Sequence, residues 1–199
     1  MRTAALLAMV GVIAFGGVVH AAGQGLQLKT RTTLRVFDGD VDAYRREHGK
    51  ALGERLFLEG HRPIEERVVE GNLALQEGIV ALFNLLAGET ETAFNNGNAY
   101  LGVGDSSTAA ADTQTGLQAS TNKLYKGMDT GYPVVGGASD KKVTFRSTFG
   151  SSDANFAWNE WSVANGSSDS ADNLNRKVES LGTKSEGSSW QLTVEISAS

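Results

Sequence analysis

Along residues 24–40 (QGLQLKTRTTLRVFDGD) apolar and charged positions alternate. Leu26, Leu28, Thr30, Thr32, Leu34 and Val36 share one parity, and Lys29, Arg31, Thr33 and Arg35 the other. A period of two predicts a half-buried strand, ended by the turn Asp38-Gly39-Asp40. The period then lengthens. Over 41–58, Val41, Tyr44, His48, Leu52 and Leu56 recur at steps of three and four, which predicts a helix with Arg45, Arg46, Glu47, Lys50, Glu54 and Arg55 on its solvated face. Gly49 and Gly53 each weaken that helix by about 1 kcal/mol relative to Ala. Residues 64–71 fit a short strand or an extended connector. The segment NLALQEGIVALFNLLAG predicts a second helix over 72–87, with Asn72 as N-cap and Gly88 as its stop. Its apolar face (Leu73, Ile79, Leu82, Phe83, Leu85, Leu86) is wide enough to bury against a sheet or against copies of itself, and Gly78 within it suits close packing.

After Glu89 the pattern changes to short apolar runs between clusters of Gly, Ser, Asn, Asp and Thr. Strands are expected at 99–103, at 142–149 and at 189–197. In the second, Val143, Phe145, Ser147 and Phe149 point one way, and Lys142, Thr144, Arg146 and Thr148 the other. In the third, Trp190, Leu192, Val194 and Ile196 share a face. LQASTNKLYKGMD fits a strand or an extended arm, and 106–114 is polar and alanine-rich. Short strands with regular turn signals indicate a mainly β fold, an antiparallel β-sandwich or barrel-like domain with one or two N-terminal helices. The expected division is a signal-like or apolar N-terminal segment (1–23), a strand plus helical region (24–88) and a β-sandwich domain (89–199).

FAWNEWSV, residues 156–163, holds two of the three tryptophans. Strict alternation puts Phe156, Trp158, Glu160 and Ser162 on one face and Ala157, Asn159, Trp161 and Val163 on the other. One tryptophan then enters the core, gaining roughly 2–3 kcal/mol, and the other lies outside. Trp161, Asn159 and Val163 are therefore the candidate interface residues, since Trp is enriched in binding hot spots. A strand-end Trp covered by the chain's own loop fits the pattern equally.

Composition narrows the chemistry. The 199 residues contain no cysteine, which excludes disulfides, thiolate catalysis and cysteine-ligated zinc. A net charge of −5 and dispersed Lys and Arg point away from nucleic acid, and of the three histidines His20 lies in the leader-like segment, which leaves at most two for acid–base work. Asp38, Asp40 and Asp42 are read as an acidic turn capping the next helix rather than a calcium loop, because the twelfth position from Asp38 is Gly49 and not a bidentate Glu. His61 lacks partners at metal spacing. There is no phosphate-binding glycine loop, no HExxH and no GxSxG. Glu160 with Asp153 or Glu195 is the least favoured reading, a hydrolase; a turn or Arg146 is the expected partner of Glu160. No catalytic, cofactor or metal residue is assigned. The run MRTAALLAMVGVIAFGGVVHAAG resembles a secretory leader with a cleavage point near Ala21. Its uncharged stretch, Thr3 to Val19, is barely long enough to span a membrane and holds three glycines.

From residue 68 onward, about two-thirds of the chain resembles a group of structural proteins from the virions of tailed bacteriophages and prophages. VVEGNLALQEGI carries the likeness first, then NNGNAYLGVGDSSTAAADTQTGLQAS. VTFRSTFGSSDANFAWNEWSV and LNRKVESLGTKSEGSSWQLTVEIS complete it in order. The resemblance implies a β-rich virion component, a capsid decoration or tail-associated subunit, binding copies of itself and other virion proteins, with no catalytic residues. The leader-like N-terminus departs from that pattern. It leaves the alternative of a secreted or surface β-sandwich module that binds carbohydrate or a receptor.

Overall fold

The computed structural model describes residues 28–137 and 139–198. The leader-like segment, and residues 24–27 of the expected first strand, lie outside them. In chain order the elements are β1 (Leu28–Asp38), α1 (Val41–His48), α2 (Lys50–Gly60), β2 (Glu65–Glu70), β3 (Leu73–Ala74), α3 (Gln76–Ala87), β4 (Tyr100–Gly104), β5 (Lys123–Gly127), β6 (Val134–Val135), β7 (Lys142–Phe149), β8 (Ala157–Ala164), β9 (Asn173–Thr183) and β10 (Ser188–Ala198). They form two five-stranded antiparallel sheets, ordered β2-β1-β10-β7-β6 and β3-β9-β8-β4-β5. The fold is the expected mainly β, sandwich-like one, and it is not a closed barrel.

Alternation builds the first sheet as the sequence predicts. Leu34 and Val36 of β1, Phe145 and Phe149 of β7, and Trp190, Leu192 and Val194 of β10 all enter one core. Leu101 and Val103 of β4, with Leu174 and Leu181 of β9, meet them from the second sheet. The chain division expected at residue 88 is not a boundary within this fold, because β1 lies between β2 and β10 and pairs with β10 from Leu28↔Ala198 to Asp38↔Ser188.

The tryptophan pair corrects the sequence reading. Trp158 and Trp161 are both buried, at 0% and 1% exposure, and both belong to the core. The β8–β9 ladder is irregular between Trp158 and Glu160, and side-chain alternation resets there. Trp158 faces inward, Glu160 faces the outer side of the second sheet, and Trp161 faces inward again. Trp158 packs edge-on against Phe149 (4.7 Å) and Trp190 (4.9 Å), and its Nε1 donates to the Ala154 carbonyl (3.0 Å). Trp161 reaches across to the first sheet, where its Nε1 donates to Thr32 Oγ1 (3.1 Å). Val163 is also fully buried. Two tryptophans are used here because each fills the gap between the sheets, and each has a partner for its N–H.

Two helical units close opposite ends of the sandwich. The helix expected over 41–58 is broken: Gly49 adopts φ +77° and divides α1 from α2. The hairpin seats Phe37, Val41 and Phe57 in a second small core at the end of β1. Asp40 caps α1, its Oδ1 accepting from Asp42 N (3.0 Å), as the acidic-turn reading predicts. Burial alone would raise the pKa of Asp40, but N–H donors from Ser151 and Asp42, together with Arg46, hold it below the usual carboxylate value. α3 closes the other end, beside the start of β1. It begins later than expected: Leu73 and Ala74 form β3, and Asn72 is not the cap. Asn72 is buried, and its Oδ1 accepts from Thr30 Oγ1 (2.9 Å). Gly88, in the left-handed region, ends α3 as expected.

Candidate functional site

The α3 sequence, QEGIVALFNLLA, has more apolar positions than one buried face can take. Only Gly78 and Ala81 are buried. A Cβ at Gly78 would collide with the Leu174 backbone and the Asn173 carbonyl, so glycine here lets the helix lie directly on β9. That close approach turns the bulky residues outward. Val80, Phe83 and Leu86 are 56%, 62% and 84% exposed. At steps of three they form one stripe along the helix. The broad face read from the sequence exists, but most of it is not covered by the sheet.

Polar contacts anchor α3 and leave its apolar stripe alone. Glu77 accepts from Asn173 N (2.9 Å), and burial raises the pKa of its carboxyl. Gln76 donates to Asp112 (3.1 Å). Asn84 donates to Glu91 (3.1 Å); that contact and the Thr92 N–H hold the Glu91 carboxyl below its usual value. The helix contains neither Lys nor Arg, and Glu77, Glu89 and Glu91 border its two ends. Where α3 meets the sandwich, Ile79 and Leu82 face Leu28, Leu174 and Ile196 around an apolar hollow of about 30 Å³.

The other polar clusters are saturated. Glu160 and Arg176 form a wholly buried ion pair (2.6 Å) on the outer side of the second sheet. Glu160 also accepts from Gln118 N and Ala119 N, and Arg176 donates to Gln114 and the Thr108 carbonyl. Together they clamp the polar, alanine-rich segment 105–122 over the sheet. The partner of Glu160 is thus Arg176 and not Arg146. Neither proposed companion for acid chemistry is near: Glu195 pairs with Lys142 on the first sheet, and Asp153 with Lys126. Asp129 is 1% exposed; burial raises its pKa, while Arg146, Thr148 and Arg45 satisfy it. Among the described residues every buried side-chain nitrogen and oxygen has a hydrogen-bond partner.

A polar hollow of about 280 Å³ lies on the outer face of the first sheet. Its charges are already paired, Arg35 with Glu66 (2.7 Å) and Arg146 with Asp129 (2.9 Å). The Arg146 guanidinium lies 4.0 Å from the centre of the Tyr132 ring and covers one face of it. His61 stacks on Phe57 (4.3 Å) and its Nδ1 contacts the Phe57 carbonyl (2.9 Å). Among the described residues no group of three potential metal ligands occurs, and no helix is long and apolar enough to cross a membrane.

Of the candidate interface residues, Trp161 and Val163 are core, so the outward tryptophan does not exist. Asn159 is half-buried and donates to the Asp105 carbonyl (3.0 Å). Val80, Phe83 and Leu86 on α3 form the exposed apolar stripe on a helix, whereas Leu52 on α2, Ile64 and Val68 at β2, and Val134 and Val135 on the edge strand β6 are exposed elsewhere. The 3.6-residue period showed the wide face of α3, and Gly78 was the signal for which part of it would be inward. Comparison with protein-family models, curated proteins and solved structures finds no match for this chain.

Proposed function

We propose that this chain is a structural assembly subunit of the tailed-phage virion type, a capsid decoration or tail-associated protein. It acts by protein–protein contact through the end of the sandwich closed by α3. The observation that carries this reading is the exposed stripe Val80, Phe83 and Leu86 on a helix whose polar anchors are all engaged elsewhere. Large apolar side chains aligned at the surface favour association, because burying them against a partner removes apolar area from water. The ordered resemblance from residue 68 onward supports the virion setting. No catalytic step is assigned to the chain.

Light scattering coupled to size-exclusion chromatography tests it. The full chain should self-associate or bind its lattice partner, and Phe83→Asp should abolish that while leaving the far-UV circular dichroism unchanged. Full association by a folded Phe83→Asp variant contradicts the reading.

A further inference from the structure

We propose that the occupant of the α3 face is the apolar N-terminal run of a second copy of this chain, residues 3–19. This rests on the assembly reading above and names its partner surface.

Three observations converge on it. First, the chain enters the fold at the α3 end. Leu28 lines the hollow beside Ile79 and Leu82. It pairs with Ala198, the last described residue of β10, while β2 pairs with β1 only from Arg31 onward. Leu28, the first described residue, therefore stands at this pole of the sandwich, next to the α3 face. Second, the chemistry matches. Residues 3–19 (TAALLAMVGVIAFGGVV) carry no charge and supply the large apolar surface that the stripe lacks. The eight residues from His20 to Gln27 reach at most about 28 Å, against about 18 Å for the length of α3, so the run can cover the whole helix of an adjacent copy. Third, charge disfavours parallel pairing of two α3 faces. Glu77 is turned in to Asn173, but Glu89 and Glu91 past the C-terminal end would meet their own copies in a parallel pairing. The run brings no acid, and its one flanking charge is Arg2. A contact between two unlike surfaces of the same chain is head-to-tail, and it builds a ring or a row of subunits.

The absence of native cysteine makes a direct test clean. Two differently tagged full-length chains, one Val12→Cys and one Phe83→Cys, are mixed under mild oxidation. The expected product is the mixed disulfide dimer between the two tags, lost on reduction and lost when Ile13→Asp is added to the first chain. Light scattering should also show that Ile13→Asp in the full chain dissociates the assembly as fully as Phe83→Asp does. Several results overturn the proposal. In the double variant Val12→Cys/Phe83→Cys, a monomer bridged within itself as the main product places the run on its own helix. Phe83→Cys dimers in place of mixed ones place α3 against α3. A purified native chain that begins at residue 22 by mass spectrometry has no run to donate. If Ile13→Asp leaves the assembly intact while Phe83→Asp breaks it, the assembly reading stands and the arm is refuted. If the unsubstituted chain stays monomeric and forms no mixed dimer, both fall.

Discussion

The two ends of the sandwich are closed by helices that treat their large side chains in opposite ways. At the α1–α2 end, Phe57 is 0% exposed and sits edge-on to Phe37 (5.7 Å) and Tyr44 (5.6 Å). Around it, Arg45 bridges Asp42, Glu54, Asp129 and the Thr148 carbonyl. At the α3 end Gly78 and Ala81 lie against the sheet with Ile79 and Leu82 half-buried beside them, while Val80, Phe83 and Leu86 face out, and acids rim the helix. One cap is finished by its own chain. The other has the surface of a contact waiting for a second chain, and this asymmetry carries the functional reading.

The largest effect expected from probing this contrast is at Arg45. Arg45→Met leaves the enclosed Glu54 without a cation and Asp129 with Arg146 alone, and breaking one side of such a network costs about 3–5 kcal/mol. Urea unfolding should show that loss, whereas Leu86→Met on α3 should leave the midpoint unchanged. Next come the two phenylalanines. Phe57→Ala should cost about 3–5 kcal/mol through the cavity it opens. Phe83→Ala, at a position already 62% exposed, should stay within about 0.5 kcal/mol. Equal losses would erase the distinction between the caps. Gly78→Ala should cost about 1–3 kcal/mol, because the backbone of β9 blocks the new methyl and α3 must lift.

The smallest effect is a pH dependence near the α1–α2 end. Lys184 is enclosed and donates to the Ser151 carbonyl (3.2 Å) and Asn155 Oδ1 (2.8 Å). Burial lowers its pKa to about 8, partly opposed by Asp153, Asp40 and Asp42. Its folded pKa lies below the unfolded value, so between about pH 8 and the ordinary lysine pKa the unfolded chain binds more protons. Stability therefore rises with pH in that window. Above pH 10 Tyr125 opposes this, since burial and Asp169 raise its pKa and the fold keeps a proton the unfolded chain releases. Unfolding midpoints from pH 7 to 10 should climb more steeply in the native chain than in Lys184→Met.

Much of the sandwich could be read from alternation alone, because β1, β7 and β10 send most of their large apolar side chains to one face, although Phe37, Thr148, Ser189 and Gln191 are buried on the other parity. The tryptophans could not. Parity is a local rule, and the irregularity opposite β9 is set by a partner strand about twenty residues away. The α1–α2 break was foreshadowed by Gly49, but a glycine in a helical pattern signals a cost and not a direction. Strand β9 has no alternating signature, because Arg176 and Asn175 are buried by long-range polar contacts, with Glu160 and Val163 N, at positions whose residue types suit solvent. The candidate interface failed with the alternation it was built on. The wide face of α3 was legible; which half of it the sheet would take depended on how closely Gly78 lets the helix approach.

The central claim, that the α3 face is covered in the assembled protein, is tested most directly by hydroxyl-radical footprinting across a concentration series. Oxidation of Phe83 and Leu86 should fall as the subunits associate, while Phe57 stays protected throughout. Phe83 oxidised equally at every concentration, including those at which light scattering shows assembly, would contradict the account.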